Sequence, residues 1–588
     1  MQTVKSTKRN YVGIACTGHD NAIAIVDSSG EIRFAEAAER YLQVKRALGY
    51  SAEDWYRSVD LVLEHTEPDA ELVIALTWTQ DGIGQADREQ LGAIESFEED
   101  LQRSQAASRR TDNIRQLLTF ASLMGSTIAD HGQLLANRLK FIRGQGTRPA
   151  IRRYPHHLTH AAAACFTSPF DSAACVVADG YGEGKALSFF DYAGGRLEPV
   201  DVGGERSMSL GFFYDELCAL CGFEPWKGEA WKVMGLAGYG QPNDEIADLL
   251  RRWLTTDGLS IVPTDDTENA IAKVWEKFAY QRGDYHSVAD LARTGQEHFS
   301  SIFMSLLRKF RDRSSSTNLV LGGGCALNSS FNGQVVPSSG FDALHVFCAP
   351  ADDGNAIGAA LLAWSEDNPG RPVGRKQHPY LGTSVTGMRK QLDHFVAHSG
   401  CRIRDAGGNL ERLVASELAN GKIVGWLQDR AEFGPRALGN RSILADPRSP
   451  TMKDRINNEV KFREEFRPLA PSILSEFGDE YFINYQESPY MERTLRFREA
   501  PSRKVPAIVH VDGTGRLQSV GRDWNPRYRS LIEEFHKLTD VPAILNTSFN
   551  VMGKPIVHTV EDAVAVFFTS GIDVLVIGDV IVEKPRNK

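Results

Sequence analysis

The chain has little of what would tie it to a membrane, an oxidising compartment or a nucleic-acid backbone. No apolar run approaches the roughly 20 residues that cross a bilayer. The apolar stretch Tyr11 to Cys16 behind the basic N-terminus is too short for a signal-peptide core, so a cytoplasmic protein is expected. Cysteine is scarce and scattered, eight in 588 residues, which excludes a disulfide scaffold. The one close pair, Cys218 and Cys221, sits in an apolar, helix-like run with no second pair to complete a zinc site, so both are expected to pack in a core. Basic residues do not predominate: 66 Lys and Arg against 76 Asp and Glu leave a formal charge of −10, and no nucleic-acid partner is expected. The segment Gly322-Gly323-Gly324-Cys325-Ala326-Leu327-Asn328 lacks both the Lys-Ser/Thr of a Walker loop and the Gly-x-Gly-x-x-Gly of a dinucleotide fold.

What is present points to an α/β protein of more than one domain, since the length exceeds what one core supports. Tyr11 to Cys16 and Ala22 to Val26 read as strands joined by a turn holding His19 and Asp20, and Ser28-Ser29-Gly30 leads into a third. The pattern returns after Ala173, with Asp179 in the first turn and Gly194-Gly195 in the second. Such duplication predicts two related lobes with acidic turns facing a cleft at the strand ends. Between the repeats, residues 81–146 are polar and helix-prone, with Ile114, Leu117, Leu118, Phe120 and Leu123 as one apolar stripe; they read as a helical insertion.

Three stretches carry chemistry. Tyr154-Pro155-His156-His157-Leu158-Thr159-His160 runs into four alanines, so Pro155 opens a helix with His156 and His160 one turn apart. With a carboxylate at Asp179 and another at Asp352 or Asp353, this pair suits a first-row divalent cation such as iron or zinc, although the spacing alone is equally that of a packed or capping histidine pair. The strand Leu319 to Leu321 followed by Gly322, Gly323, Gly324 and Asn328 offers backbone N–H groups to a phosphate or ribose. Beyond the loop-forming stretch 368–379, Arg430, Arg436, Arg441, Lys461, Arg463 and Arg467 recur among Phe433, Leu438, Phe462 and Phe466, which predicts a lined pocket of cations for an oxyanion.

The motifs His156-His157-Leu158-Thr159-His160-Ala161, Met234-Gly235-Leu236-Ala237, Glu432-Phe433-Gly434-Pro435-Arg436-Ala437-Leu438-Gly439-Asn440-Arg441-Ser442, Phe466-Arg467-Pro468-Leu469-Ala470-Pro471 and Asn546-Thr547-Ser548-Phe549-Asn550 together resemble the NodU/CmcH family of carbamoyltransferases over nearly the whole chain. The resemblance implies an actin-like (ASKHA) duplicated α/β domain over residues 1–375, similar to that of tRNA threonylcarbamoyl transferases, and a YrdC-like α/β domain over 376–588. It further implies that carbamoyl phosphate is hydrolysed in the second domain, that the carbamate becomes carbamoyl-adenylate at the expense of ATP, and that the first domain passes the carbamoyl group to a hydroxyl of a small natural-product acceptor. Carried over by motif, His156, His160, Asp179 and Asp352 would bind the metal, iron(II), with Asp353 a rival for the last place. Arg436, Lys461, Arg467, Arg516, Asn546 and Ser548 would hold carbamoyl phosphate. Lys45 would meet the adenylate beside the Gly322 to Asn328 loop, His19 and Asp20 would lie where the acceptor arrives, and Mg²⁺ would accompany ATP. The 81–146 region departs from the family pattern and leaves the acceptor open. A tRNA threonylcarbamoyl-type transferase and a non-catalytic nucleotide-binding regulator are the alternatives; the acidic charge disfavours the first, and the arginine cluster is superfluous to the second.

Overall fold

The computed structural model describes residues 8–53, 55–85, 128, 130–143, 148–201, 207–373, 377–385 and 389–585. The apolar stripe from Ile114 to Leu123 lies outside them; of the 81–146 region, the helix Gln133–Arg143 is described.

Two five-stranded sheets with the same strand order build the N-terminal unit. In the first, Arg9–Ala15, Ala22–Val26 and Ile32–Ala37 form an antiparallel meander, and Glu71–Thr77 and Ala150–Tyr154 continue in parallel from the other edge of Arg9–Ala15. In the second, Ser172–Gly182, Lys185–Ala193 and Arg196–Pro199 make the meander, with Asn318–Gly322 and Ala343–Val346 in parallel. The central strands are buried on both faces because helices cover both, which is why their sequences run apolar without alternation. This repeated order is the duplication that the paired acidic turns predict and the actin-like fold that the resemblance implies.

Two helices, His156–Phe166 and Asn355–Asp367, share one apolar cluster with residues of both sheets, among them Tyr11, Ala75, Cys175 and Val320. Both helices are rich in buried alanine, Ala161 to Ala164 on one and Ala359, Ala360 and Ala363 on the other. Small side chains let the backbones approach until a Cβ at Gly358 would stand 1.9 Å from the Thr159 carbonyl oxygen. That approach brings the N-terminal turns of both helices together. The pair Cys218 and Cys221 packs in the neighbouring core as expected, and burial pushes both thiols up.

The C-terminal unit is a nine-stranded mixed sheet in the order Arg402–Asp405, Val580–Glu583, Val574–Ile577, Val424–Leu427, Arg441–Ala445, Ala543–Ser548, Ala470–Leu474, Thr514–Val520, Arg493–Arg496. A short strand, Tyr380–Ser384, links the units and pairs with Arg430–Glu432. There, Glu36 of the first sheet accepts from Thr383 Oγ1 at 2.6 Å and faces His558 Nε2 at 3.2 Å. Burial alone would raise Glu36, but His558 and the Thr383 donors hold it down to about 2 from 4.5.

Two outcomes follow. A methyl at position 358 overpacks the helix crossing, so Gly358→Ala should cost about 1–3 kcal/mol, read as a lower melting temperature. Since the folded Glu36 value is depressed, its stabilisation is complete above about pH 4.5 and is lost as pH falls towards 2. Glu36→Gln should therefore flatten the acid limb of the Tm-versus-pH curve; an unchanged limb would show that other carboxylates set it.

Candidate active site

The helix crossing sets the first half of the site. His156 and His160 stand on the first two turns of one helix, Asp352 immediately precedes the other, and Asp179 enters from the central strand of the second sheet. Their four ligand atoms lie within 4.8 Å of one another. His156 Nε2 is 3.3 Å from Asp179 Oδ2, and His160 Nε2 is 3.2 Å from Asp352 Oδ1 and 3.2 Å from His156 Nε2. Burial would push the His160 imidazolium down, but Asp179 and Asp352 hold it up to about 10. A buried pocket that retains a proton so tightly calls for positive charge, and two imidazoles with two carboxylates fit a divalent first-row cation. Asp353 stands outside this set: it accepts from Gly354 N at 3.0 Å, and burial, with Asp20 and Glu39 nearby, raises it to about 8. Beside this cluster, Glu183 accepts from His156 N at 2.6 Å and from Thr79 Oγ1 at 2.6 Å, fixing the start of the helix.

The glycine loop serves this cluster as well as the cleft. Gly324 N donates to Asp179 Oδ1 at 2.8 Å, orienting that carboxylate. Gly323 has φ +86°, and a Cβ there would lie 2.2 Å from the Ala178 carbonyl oxygen, so its close approach is to the chain itself. Gly324 and Asn328 line the large cavity. Asn328 is also engaged locally, capping the next helix through Phe331 N at 3.0 Å.

That cavity, about 870 Å³, runs from Asp179 and Asp352 into the C-terminal unit. Near the first end, His19 Nδ1 lies 2.9 Å from Asp20 Oδ2 and 3.5 Å from Asp352 Oδ2. Asp20 is clamped by Arg46, at 3.0 and 2.9 Å, and is held well below the usual carboxylate range, although burial opposes this. Lys45 lines the same space and pairs with Glu39 at 3.4 Å. Asp215 lines it too, pushed up to about 6 by burial despite Arg46 nearby; the sequence offered only the faint signal of an acid within an otherwise aromatic helix start, Phe212-Phe213-Tyr214.

At the far end, Arg436, Lys461, Arg463, Arg467, Arg516, Asn546 and Ser548 converge on the cavity. Burial, and for Arg516 the neighbouring Arg436, Arg463 and Arg467, pushes these cations down: Arg436 to about 10, Arg463 to about 9, Lys461 and Arg516 well below their ordinary ranges. Lys461 Nζ donates to Asn550 Oδ1 at 2.7 Å and to the Ser548 carbonyl, which explains Ser548 as a support for the lysine. Asn546 Nδ2 donates to Ser472 Oγ at 3.0 Å while its buried Oδ1 has no protein partner. The basic cluster of the sequence is thus divided. Arg430 donates to the Gly382 and Arg33 carbonyls and ties the units together, while fully buried Arg441 donates to those of Thr383 and Asp429 and secures the linking strand; neither is among the described residues that line the cavity. Cations that solvate carbonyls of an interdomain strand have the same sequence signature as cations that await an anion.

An α/β enzyme with a cation-seeking cluster and an anion-seeking cluster on one cavity is the class this geometry defines. Residues 10–361 match the family described as Carbamoyltransferase N-terminus and residues 415–584 the Carbamoyltransferase C-terminus. The chain belongs to the carbamoyltransferase family and is a carbamoyltransferase. It is 38% identical over 436 residues to Nodulation protein NolO of Bradyrhizobium diazoefficiens, covering 73% of this chain and 78% of that one. It is 32% identical over 440 residues to Nodulation protein U of Rhizobium fredii, covering 69% and 70%. Among solved structures, full-length HypF in the phosphate- and nucleotide-bound form aligns with a TM-score of 0.35 and 13% identity, over 62% of this chain and 47% of that one. The fold assignment rests on the repeated sheet order. No described helix is long and apolar enough to cross a membrane.

With His160 held up to about 10 by the two carboxylates, binding of a divalent cation near pH 7.5 should release about one proton. Calorimetry in buffers of different ionisation enthalpy measures this directly. His160→Ala should abolish both the metal binding and the buffer dependence; saturable binding that releases no proton would mean that the metal sits elsewhere.

Proposed function

We propose that the enzyme moves the carbamoyl group of carbamoyl phosphate, through carbamoyl-adenylate, to a hydroxyl of a small-molecule acceptor. The observation that carries this reading is the single cavity with opposite charge preference at its two ends. In the C-terminal unit, Arg436, Arg463, Arg467 and Arg516 would bind the phosphate of carbamoyl phosphate, and water would cleave it to carbamate and inorganic phosphate. A carbamate oxygen then attacks the α-phosphorus of ATP, and pyrophosphate leaves with the electron pair. Keeping the mixed anhydride inside the cavity protects it from water.

At the other end, Lys45 and the Gly324 to Asn328 loop would meet the adenylate. The acceptor oxygen attacks the carbamoyl carbon, AMP leaves with the electrons of the broken C–O bond, and His19 takes the hydroxyl proton. Asp20, clamped by Arg46, holds the His19 ring at Nδ1, an arrangement that supports a base role worth on the order of 10²–10⁴-fold. His156, His160, Asp179 and Asp352 fit a divalent cation, which would supply Lewis-acid charge for the nucleotide phosphate when bound. Small acceptors suit a cavity of about 870 Å³, and natural-product hydroxyls are the class proposed.

The test separates the two ends. Arg436→Lys keeps charge but loses the planar fork, so the use of carbamoyl phosphate should fall by roughly 10- to 150-fold, the equivalent of about 1.5–3 kcal/mol for one charge-assisted contact. Synthetic carbamoyl-adenylate should restore transfer to near the wild-type rate. A variant equally slow with the supplied adenylate would overturn the division between the ends.

A further inference from the structure

One contact joins the ends mechanically. Arg467 is 6% exposed, and its guanidinium carbon lies 3.6 Å from the centre of the Trp231 ring, on the helix Trp231–Ala237 of the N-terminal unit. Its Nη1 donates to Glu464 Oε2 at 2.9 Å; the other oxygen of Glu464 accepts from Lys232 Nζ at 2.8 Å, and Lys232 pairs in turn with Glu229 at 2.7 Å. Between Glu464 and Arg467, Phe466 inserts into the N-terminal unit's core beside Phe223 and Tyr285. A segment of the C-terminal unit is therefore seated in the first unit at the point where it presents its arginine to the cavity. Arg467 Nε is buried without a partner, so the guanidinium keeps an unspent donor.

We infer that the arginine cluster is a composite site: Trp231 and Lys232 of the N-terminal unit are positioning residues for Arg467, and the pocket reaches its full affinity for a phosphorylated substrate only when the two units are docked there. The inference rests on the reading of Arg467 as a phosphate contact. The physical grounds are two. A guanidinium packed this close over an indole is confined, so its outer N–H groups keep their directions at little further entropic cost. Lys232 anchors Glu464 from the N-terminal unit, and Glu464 in turn holds Arg467 Nη1, so the carboxylate ties the direction of the arginine to the first unit. Movement of the Trp231 helix, whose residues Met234 and Gly235 also line the cavity, would then be felt by the phosphate site.

The experiment measures phosphate release from carbamoyl phosphate by the full-length chain. Trp231→Leu should raise KM by about 10- to 30-fold, the range of a desolvated cation–π contact, with little change in kcat, and Trp231→Phe, which keeps an aromatic face, should recover most of the loss. Glu464→Gln, close to isosteric, should move KM in the same direction. Arg467→Ala should raise KM at least as far, and adding Trp231→Leu to it should have no further effect, because the tryptophan acts through the arginine. Unchanged KM in both Trp231→Leu and Glu464→Gln, or additive effects in the double variant, would overturn the composite site while leaving the phosphate pocket standing. Unchanged KM in Arg467→Ala alone would instead remove the pocket assignment, and the inference with it.

Discussion

The constraint on which the rest depends is the distance between two helix backbones. His156–Phe166 and Asn355–Asp367 cross so tightly that Gly358 has no room for a Cβ against Thr159, and the alanines around that point are fully buried. Two imidazoles and the Asp352 carboxylate meet only because these helices start side by side; a wider crossing would leave three buried polar groups without a common partner. The positive ends of both helices also face the cluster and help hold carboxylates in a dry place.

Charge organises the rest of the cavity. One end gathers Asp179, Asp352, Asp353 and Asp215, the other Arg436, Lys461, Arg463, Arg467 and Arg516, and burial works against the charged form at both. The acids and the cations line opposite ends of the cavity. Such a cavity stores electrostatic cost that a cation at one end and an anion at the other would relieve. The interface adds its own buried charges, Glu36 against His558 and Glu464 between Lys232 and Arg467, which hold the two ends in register.

Much of this was legible in the chain. Strand, acid-bearing turn and glycine turn repeat in order, and local propensity with apolar patterning is enough to specify those elements and the helix carrying His156 and His160. The sequence alone determined the inventory: an α/β duplication, a histidine pair one turn apart, an arginine-rich second unit. Only the tertiary structure decided which members of that inventory meet. Asp352 rather than Asp353 faces the histidines because one turn of 3₁₀ helix before Asn355 rotates adjacent side chains apart. Arg430 and Arg441 turn to carbonyls of the linking strand while Arg463 and Arg516 turn to the cavity, and Trp231 reaches Arg467 across more than two hundred residues. Side-chain direction at these positions is set by packing between distant segments, and nothing in the local sequence encodes it.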